Sequence, residues 1–230
     1  NQLHCWWPVT GEYFSRLINK FDRQDLTEQW VKWVTTWTKR ITCPEGIDCL
    51  VQTEEPDFDD WNCLSGTWQA YSGRGWYQAA IHSVLGIVGD FGGLTVFPRT
   101  EDGVSVENLH WDNKTFDISF IGKGRYIDKI TVNDIEIIGT NKIPCDILSE
   151  HNVIKIYKSE KDSLAVRIEY GHGFSVSEYS RRGDAVSFTA SGYGHCKLRC
   201  KGKIFIDGTF APDGIIDFTD KKQRKIEVRP

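Results

Sequence analysis

From Leu94 onward the chain is a series of short runs in which apolar residues recur at every second position, and this constrains it more than any other feature. "LTVFP", "TFDISFIG", "RYIDKITVNDIEIIG", "NVIKIYK", "LAVRIEYG", "AVSFTASG", "HCKLRC", "KIFIDG" and "GIIDFTD" alternate apolar with polar residues and are rich in Ile, Val and Phe. A two-residue period turns one face of an extended strand toward a core and the other toward solvent. Many short strands separated by glycine turns predict an antiparallel β-sandwich. "TVNDIEI" predicts a tight hairpin with Asn133 and Asp134 at its turn.

Before "GDFGG" the period is that of a helix. Tyr13, Phe14, Leu17, Ile18 and Phe21 recur at helical spacing, with Thr10 as N-cap ahead of Glu12. A second helix is expected from Asp25, with Glu28 as its capping-box partner. Leu26, Trp30, Trp33 and Trp37 form its apolar stripe, read as core rather than as a sugar platform, and Lys39 and Arg40 suit its C-terminal end. A third helix is expected from Thr67 to Val84, punctuated by Gly86 and Gly89. Three helices with wide aromatic faces do not close a core alone. The fold class expected is therefore α+β, helical over residues 1–90 and a β-sandwich over 91–230.

A length of 230 residues, 40% hydrophobic and 26% charged, suits one large domain or two small ones. The net charge of −4 does not point to a nucleic-acid or membrane partner, and the one basic run, "KKQRK", reads as a solvated tail. No 18-residue apolar stretch and no signal peptide are visible. The seven cysteines lack C-x-x-C spacing and read as free thiols of a reducing, cytoplasmic compartment; neither a metal nor another cofactor is expected. The chain has no methionine, and its nine tryptophans all lie between Trp6 and Trp111, which suggests a processed protein or a piece of a longer one.

Chemistry concentrates between Leu50 and Ile87. Glu54, Glu55, Asp57, Asp59 and Asp60 crowd against Trp61, and Trp68, Gln69, Tyr71, Ser72, Arg74 and Trp76 follow. A sugar has apolar C–H faces and a rim of hydroxyls, so aromatic rings, carboxylates and amides together suit it. Glycoside hydrolysis commonly uses two carboxyl groups, one to protonate the leaving oxygen and one to activate water or attack directly. Glu54 and Glu55 are alternative candidates for the base, and spacing does not rank them.

"TEEPDFDDW" followed by "GTWQAYSGRGWYQAAIHSVLGI" resembles the closing segment of the inverting (α/α)6-toroid glycosidases, the group of trehalases, processing α-glucosidases and glycogen-debranching glucosidases. "HCWWPVTGEYFSRLINKF" resembles the loop and helix in which that group presents aromatic residues to the sugar. The resemblance implies a catalytic base at Glu54 or Glu55 and substrate contacts from His4, Trp6, Trp7, Glu12, Trp61, Trp68, Gln69 and Trp76. It implies the last helices of a toroid with a trailing sandwich, the general acid lying in a missing N-terminal part of the same enzyme. The fragment alone would then be inactive, and its partner is an oligosaccharide or polysaccharide, with neither nucleic acid nor membrane.

Two other functions fit the same residues. A phosphorylase of that fold would need cations for phosphate, and Arg74 is the one cation near the acids. A non-catalytic carbohydrate-binding or structural module would rely on Tyr126, Tyr170, Tyr179 and Tyr193, since the second half lacks tryptophan. His82 reads as a core or surface residue. His172 and His195 read as surface turns rather than as metal ligands with Cys196 and Cys200. The glycine pair of "GKGRY" is a weak phosphate-loop signal, and no Ser-His-Asp elbow motif is present.

Overall fold

The structure is a computed structural model that describes residues 5–6, 11–21, 23, 25–38, 47–48, 77–90, 92–97, 103–137, 140–220 and 222–230. The chain divides into two compact units, Asn1–Gly86 and Ile87–Pro230.

In the first unit, β1 (Cys5–Trp6) pairs antiparallel with β2 (Ile47–Asp48), and α1 (Gly11–Lys20) precedes α2 (Asp25–Thr38). A π-helix spans Ala79–Val84, and the Leu85 amide donates to the Ala80 carbonyl at 3.0 Å, the five-residue spacing that defines such a turn. Ile18, Trp30 and Ala79 form a small core with Leu26 against it, and the Phe14 and Trp30 rings lie 4.9 Å apart. Asn19 donates from Nδ2 to the His82 carbonyl at 2.6 Å. Between the helices Arg23 grips Asp25 through two hydrogen bonds, of 2.8 and 2.7 Å. That grip holds the Asp25 carboxyl below its ordinary range.

The second unit is built from strands. They are β3 (Ile87–Asp90), β4 (Gly93–Val96), β5 (Ser105–Trp111), β6 (Lys114–Ile121), β7 (Tyr126–Val132), β8 (Ile135–Ile137), β9 (Lys142–Pro144), β10 (His151–Ser159), β11 (Val166–Arg182), β12 (Ala185–Cys200), β13 (Lys203–Ile206), β14 (Thr209–Phe210), β15 (Ile215–Asp217) and β16 (Gln223–Arg229). One sheet has the order β3-β4-β9, a second β5-β6-β10-β7-β8, and a third β11-β12-β16-β13-β14, with β15 paired to β12. β10 runs parallel to β6 and antiparallel to β7, so the second sheet is mixed.

Alternation places Phe116, Ile118 and Phe120 of β6 and Ile154 and Ile156 of β10 in the interior. The third sheet has its own core, in which Phe174, Val176, Phe188, Leu198, Ile216 and Ile226 are buried together. Asn141 ties the first sheet to the third. Its Oδ1 accepts from the Ile168 amide at 2.8 Å, and its Nδ2 donates to the Val96 and Ile168 carbonyls at 3.3 and 3.4 Å. Lys142, also buried, donates from Nζ to the Thr95 hydroxyl at 3.4 Å.

This architecture overturns two expectations. The chain is β-rich, not the last helices of an (α/α)6 toroid followed by an antiparallel β-sandwich. Among the described residues sixteen strands accompany two α-helices, one π-helix and a single 3-10 turn. The resemblance to toroid glycosidases falls with the fold. Helices of a toroid bury their apolar stripes on one another, whereas α1 leaves Tyr13, Leu17 and Phe21 exposed at 66%, 47% and 64% and buries Ile18 alone of the five expected residues. The third expected helix is represented by the π-helix; its start, Thr67 to Trp76, lies outside the described residues. Two smaller readings also change. His172 and His195 lie within β11 and β12 rather than in turns. "KKQRK" leads into β16, where Arg224 pairs with Asp207 at 3.0 Å and with Asp220, so only part of that run is a solvated face.

Candidate functional site

Most of the residues singled out from sequence lie outside those the structure describes. His4, Trp7, Glu54, Glu55, Trp61, Trp68, Gln69 and Trp76 lie outside the described residues. Trp6 stands in β1, paired with Ile47, and Glu12 stands in α1; the side chain of neither is described. Of the tyrosines, Tyr126 stands in the second sheet and Tyr179 and Tyr193 in the third. Tyr126 lies beneath the guanidinium groups of Arg125 and Arg167, at 5.3 and 5.5 Å. Tyr179 stacks inward on Phe188 with rings parallel and 5.6 Å apart, while Tyr193 is exposed. Burial pushes the Tyr179 phenol well above its ordinary pKa against the pull of Arg181, and its hydroxyl has no hydrogen-bond partner among the described residues. The side chain of Tyr170 is not described.

A different surface is organised by the register of the third sheet. On β12 the buried Val186, Phe188 and Ala190 alternate with half-buried Ser187, Thr189 and Ser191. On β11 the buried Phe174 and Val176 alternate with Ser175 and Ser177. Pairing then sets hydroxyl against hydroxyl: Ser175 with Ser191, Ser177 with Thr189, and Ser180 with Ser187.

The last pair exists because of a bulge. Between Ser177 and Ser180 the strand carries one residue more than its partner, and Glu178 adopts a left-handed φ of 52°. The extra residue reverses the alternation, so Tyr179 turns into the core and Ser180 turns out. Glu178 is held by the Thr189 hydroxyl, which donates to its Oε2 at 2.7 Å. The Ser180 and Ser187 hydroxyls are 2.8 Å apart.

The rows continue across β16, where Ser191 faces Gln223, Thr189 faces Lys225, and Ser187 faces Glu227. Glu227 then pairs with Phe205 on β13, and Phe205 with Phe210 on β14. The result is a face of six registered hydroxyls, an amide, charged groups and two rings 5.7 Å apart, Phe210 being half exposed. At this edge the Arg229 guanidinium lies 4.2 Å over the Phe205 ring and donates to Glu227 at 2.6 Å. That hydrogen bond, ahead of the charges of Arg229 and Lys225, pulls the Glu227 carboxyl below its ordinary pKa.

Sequence reasoning missed this face although its signal is present. "FSVSEYS" and "VSFTAS" place Ser or Thr at alternate positions of two successive strands, a pattern read only for its apolar half. Cys196 is buried in the core, and the Cys200 thiol, raised in pKa by burial, donates to the Gly202 carbonyl at 2.9 Å. Among the described residues no group of three or more His, Cys, Asp or Glu side chains is placed to hold a metal ion, and no helix is long and apolar enough to cross a membrane. No protein-family model matches the chain, and no curated protein matches it in sequence.

Proposed function

We propose that this chain binds a saccharide along the outer face of the third sheet. The observation that carries the reading is the registered ladder Ser175–Ser191, Ser177–Thr189 and Ser180–Ser187, continued by Gln223. Short hydroxyls on paired strands lose little side-chain entropy when they engage a ligand, so the face is preorganised. Ser175, Ser177 and Ser191 can each donate and accept, and Thr189, whose proton goes to Glu178, still accepts, which matches the hydroxyl rim of a sugar. Phe210 offers an apolar edge for C–H groups.

Titrating the full chain with a panel of neutral and acidic oligosaccharides tests this. Binding is expected, with affinity reduced about tenfold in the Ser177→Val/Thr189→Val double variant, where β-branched residues keep the strands while the hydroxyls are lost. Unchanged affinity in that variant contradicts the placement.

A second reading adds hydrolysis of a glycosidic bond, with Glu54 or Glu55 as the base. It is supported by the acid and tryptophan run of the sequence and by the two-carboxylate chemistry of glycosidases. Turnover of a bound oligosaccharide, lost in Glu54→Gln or Glu55→Gln, is its expected signature; native turnover in both variants removes it. Release of a sugar phosphate only when phosphate is present would make the reaction phosphorolysis instead.

A further inference from the structure

We infer that one end of this face receives an acidic group, so that the ligand is an anionic glycan bearing sulfate or carboxylate. The inference rests on the saccharide reading and narrows it. A cleft of about 500 Å³ opens where the turn between β11 and β12 approaches the end of β16, lined by Ser180, Arg182, Ser187, Lys225, Glu227 and Arg229 among others. Three cations face one carboxylate there, in a chain whose net charge is −4.

The cations are arranged rather than merely present. Glu227 accepts from Arg229 Nη2 at 2.6 Å and stands 3.8 Å from Lys225 Nζ, which draws both toward the same point of the sheet. The Arg229 guanidinium also lies 4.2 Å from the centre of the Phe205 ring, a cation–π contact. Arg182 makes no ion pair among the described residues and lies at the strand end, free to close on an incoming anion. A guanidinium takes a carboxylate or sulfate through two parallel hydrogen bonds. Ser180 and Ser187 share one hydrogen bond between them and keep further donor and acceptor capacity for a neighbouring sugar hydroxyl.

Charge, fork geometry and hydroxyls thus meet on three hydrogen-bonded strands. A single-stranded nucleic acid would call for open aromatic faces beside the cations. Phe205 is instead covered by Arg229, and Phe210 sits on the edge strand β14, so the acidic saccharide fits better.

The test is binding of the full chain to four probes of equal length: a sulfated glucan, an oligouronate, a neutral glucan and a single-stranded oligonucleotide. Each is measured at low and high salt against the native protein, Arg182→Ala/Lys225→Ala and Arg182→Lys. At least one acidic glycan should bind about tenfold tighter than the neutral one, and more weakly as salt rises. The double alanine variant should lose about that factor against the acidic glycan, more than it loses against the neutral one, and Arg182→Lys part of it. Arg182 and Lys225 are exposed, and a thermal melt confirms that the variants are folded. Equal affinity for neutral and acidic glycans, unmoved by the variants, overturns the inference and leaves saccharide binding standing. Tighter binding of the oligonucleotide than of either acidic glycan overturns it in favour of nucleic acid. Binding of no saccharide overturns the saccharide reading and the inference with it.

Discussion

Two buried polar groups in the strand-rich unit, the Asn141 amide and the Tyr179 hydroxyl, behave oppositely. Asn141 uses its amide in both directions, accepting from the Ile168 amide and donating to the Val96 and Ile168 carbonyls. Replacing it with alanine strands a buried N–H, which costs about 1–3 kcal/mol beyond the lost packing. Asn141→Ala should therefore lower the urea midpoint without changing the slope of the transition. Tyr179 has a buried hydroxyl with no partner among the described residues, so Tyr179→Phe should leave stability unchanged or raise it by about 1 kcal/mol. Burial raises its pKa, so the fold favours the neutral phenol. The stability it contributes is complete below the unfolded phenol value of about 10 and is lost as pH rises beyond it. Urea unfolding at pH 8 and at about pH 11 should show a shallower alkaline loss in Tyr179→Phe than in the native chain. An identical loss would show that another group sets the alkaline limit.

Two hairpins close on the same device. Asn133 (φ 49°) and Asp134 (φ 65°) turn β7 into β8, and Asp207 (φ 48°) and Gly208 (φ 83°) turn β13 into β14. Positive φ at both central residues gives the turn whose twist matches the strands. In each, the first turn residue also clamps a third strand. Asn133 donates its amide to the Val153 carbonyl at 2.9 Å and accepts from the Val153 amide through Oδ1 at 2.8 Å. Asp207 does the same with Lys225, at 2.8 and 2.9 Å. Asn133→Ala and Asp207→Ala should each cost about 1–2 kcal/mol, whereas Asp207→Asn, which keeps the acceptor, should cost less. Equal losses in Asp207→Ala and Asp207→Asn would assign the effect to the Arg224 ion pair instead.

The first hairpin was legible because Asn-Asp sits between two alternating runs. The strands as a class were legible for the same reason. The bulge at Glu178 was not, because a single inserted residue leaves no mark in composition while reversing which side chains face out. The helices misled differently. Tyr13, Leu17 and Phe21 satisfy a helical period and α1 forms, yet periodicity does not say whether a stripe is covered. The acidic and aromatic candidates, from Glu54 to Trp76, lie outside the described residues. Acids and tryptophans suggested a pocket by their chemistry, while the hydroxyl face is assembled by register between strands, which spacing along one strand does not display.

At the scale of the molecule, the strand-rich unit holds a self-contained core running from Val166 to Val228. Residues 87–230 expressed alone should give a sheet-dominated circular dichroism spectrum and one cooperative thermal transition. A featureless spectrum would mean that this unit depends on the rest of the chain. The central claim, that a saccharide lies across the third sheet, is tested most directly by mapping amide chemical-shift changes in the full chain during a glycan titration. The changes should concentrate at Ser175–Ser180, Ser187–Ser191 and Gln223–Arg229. Saturable changes confined to other residues, or none with any glycan, would contradict it.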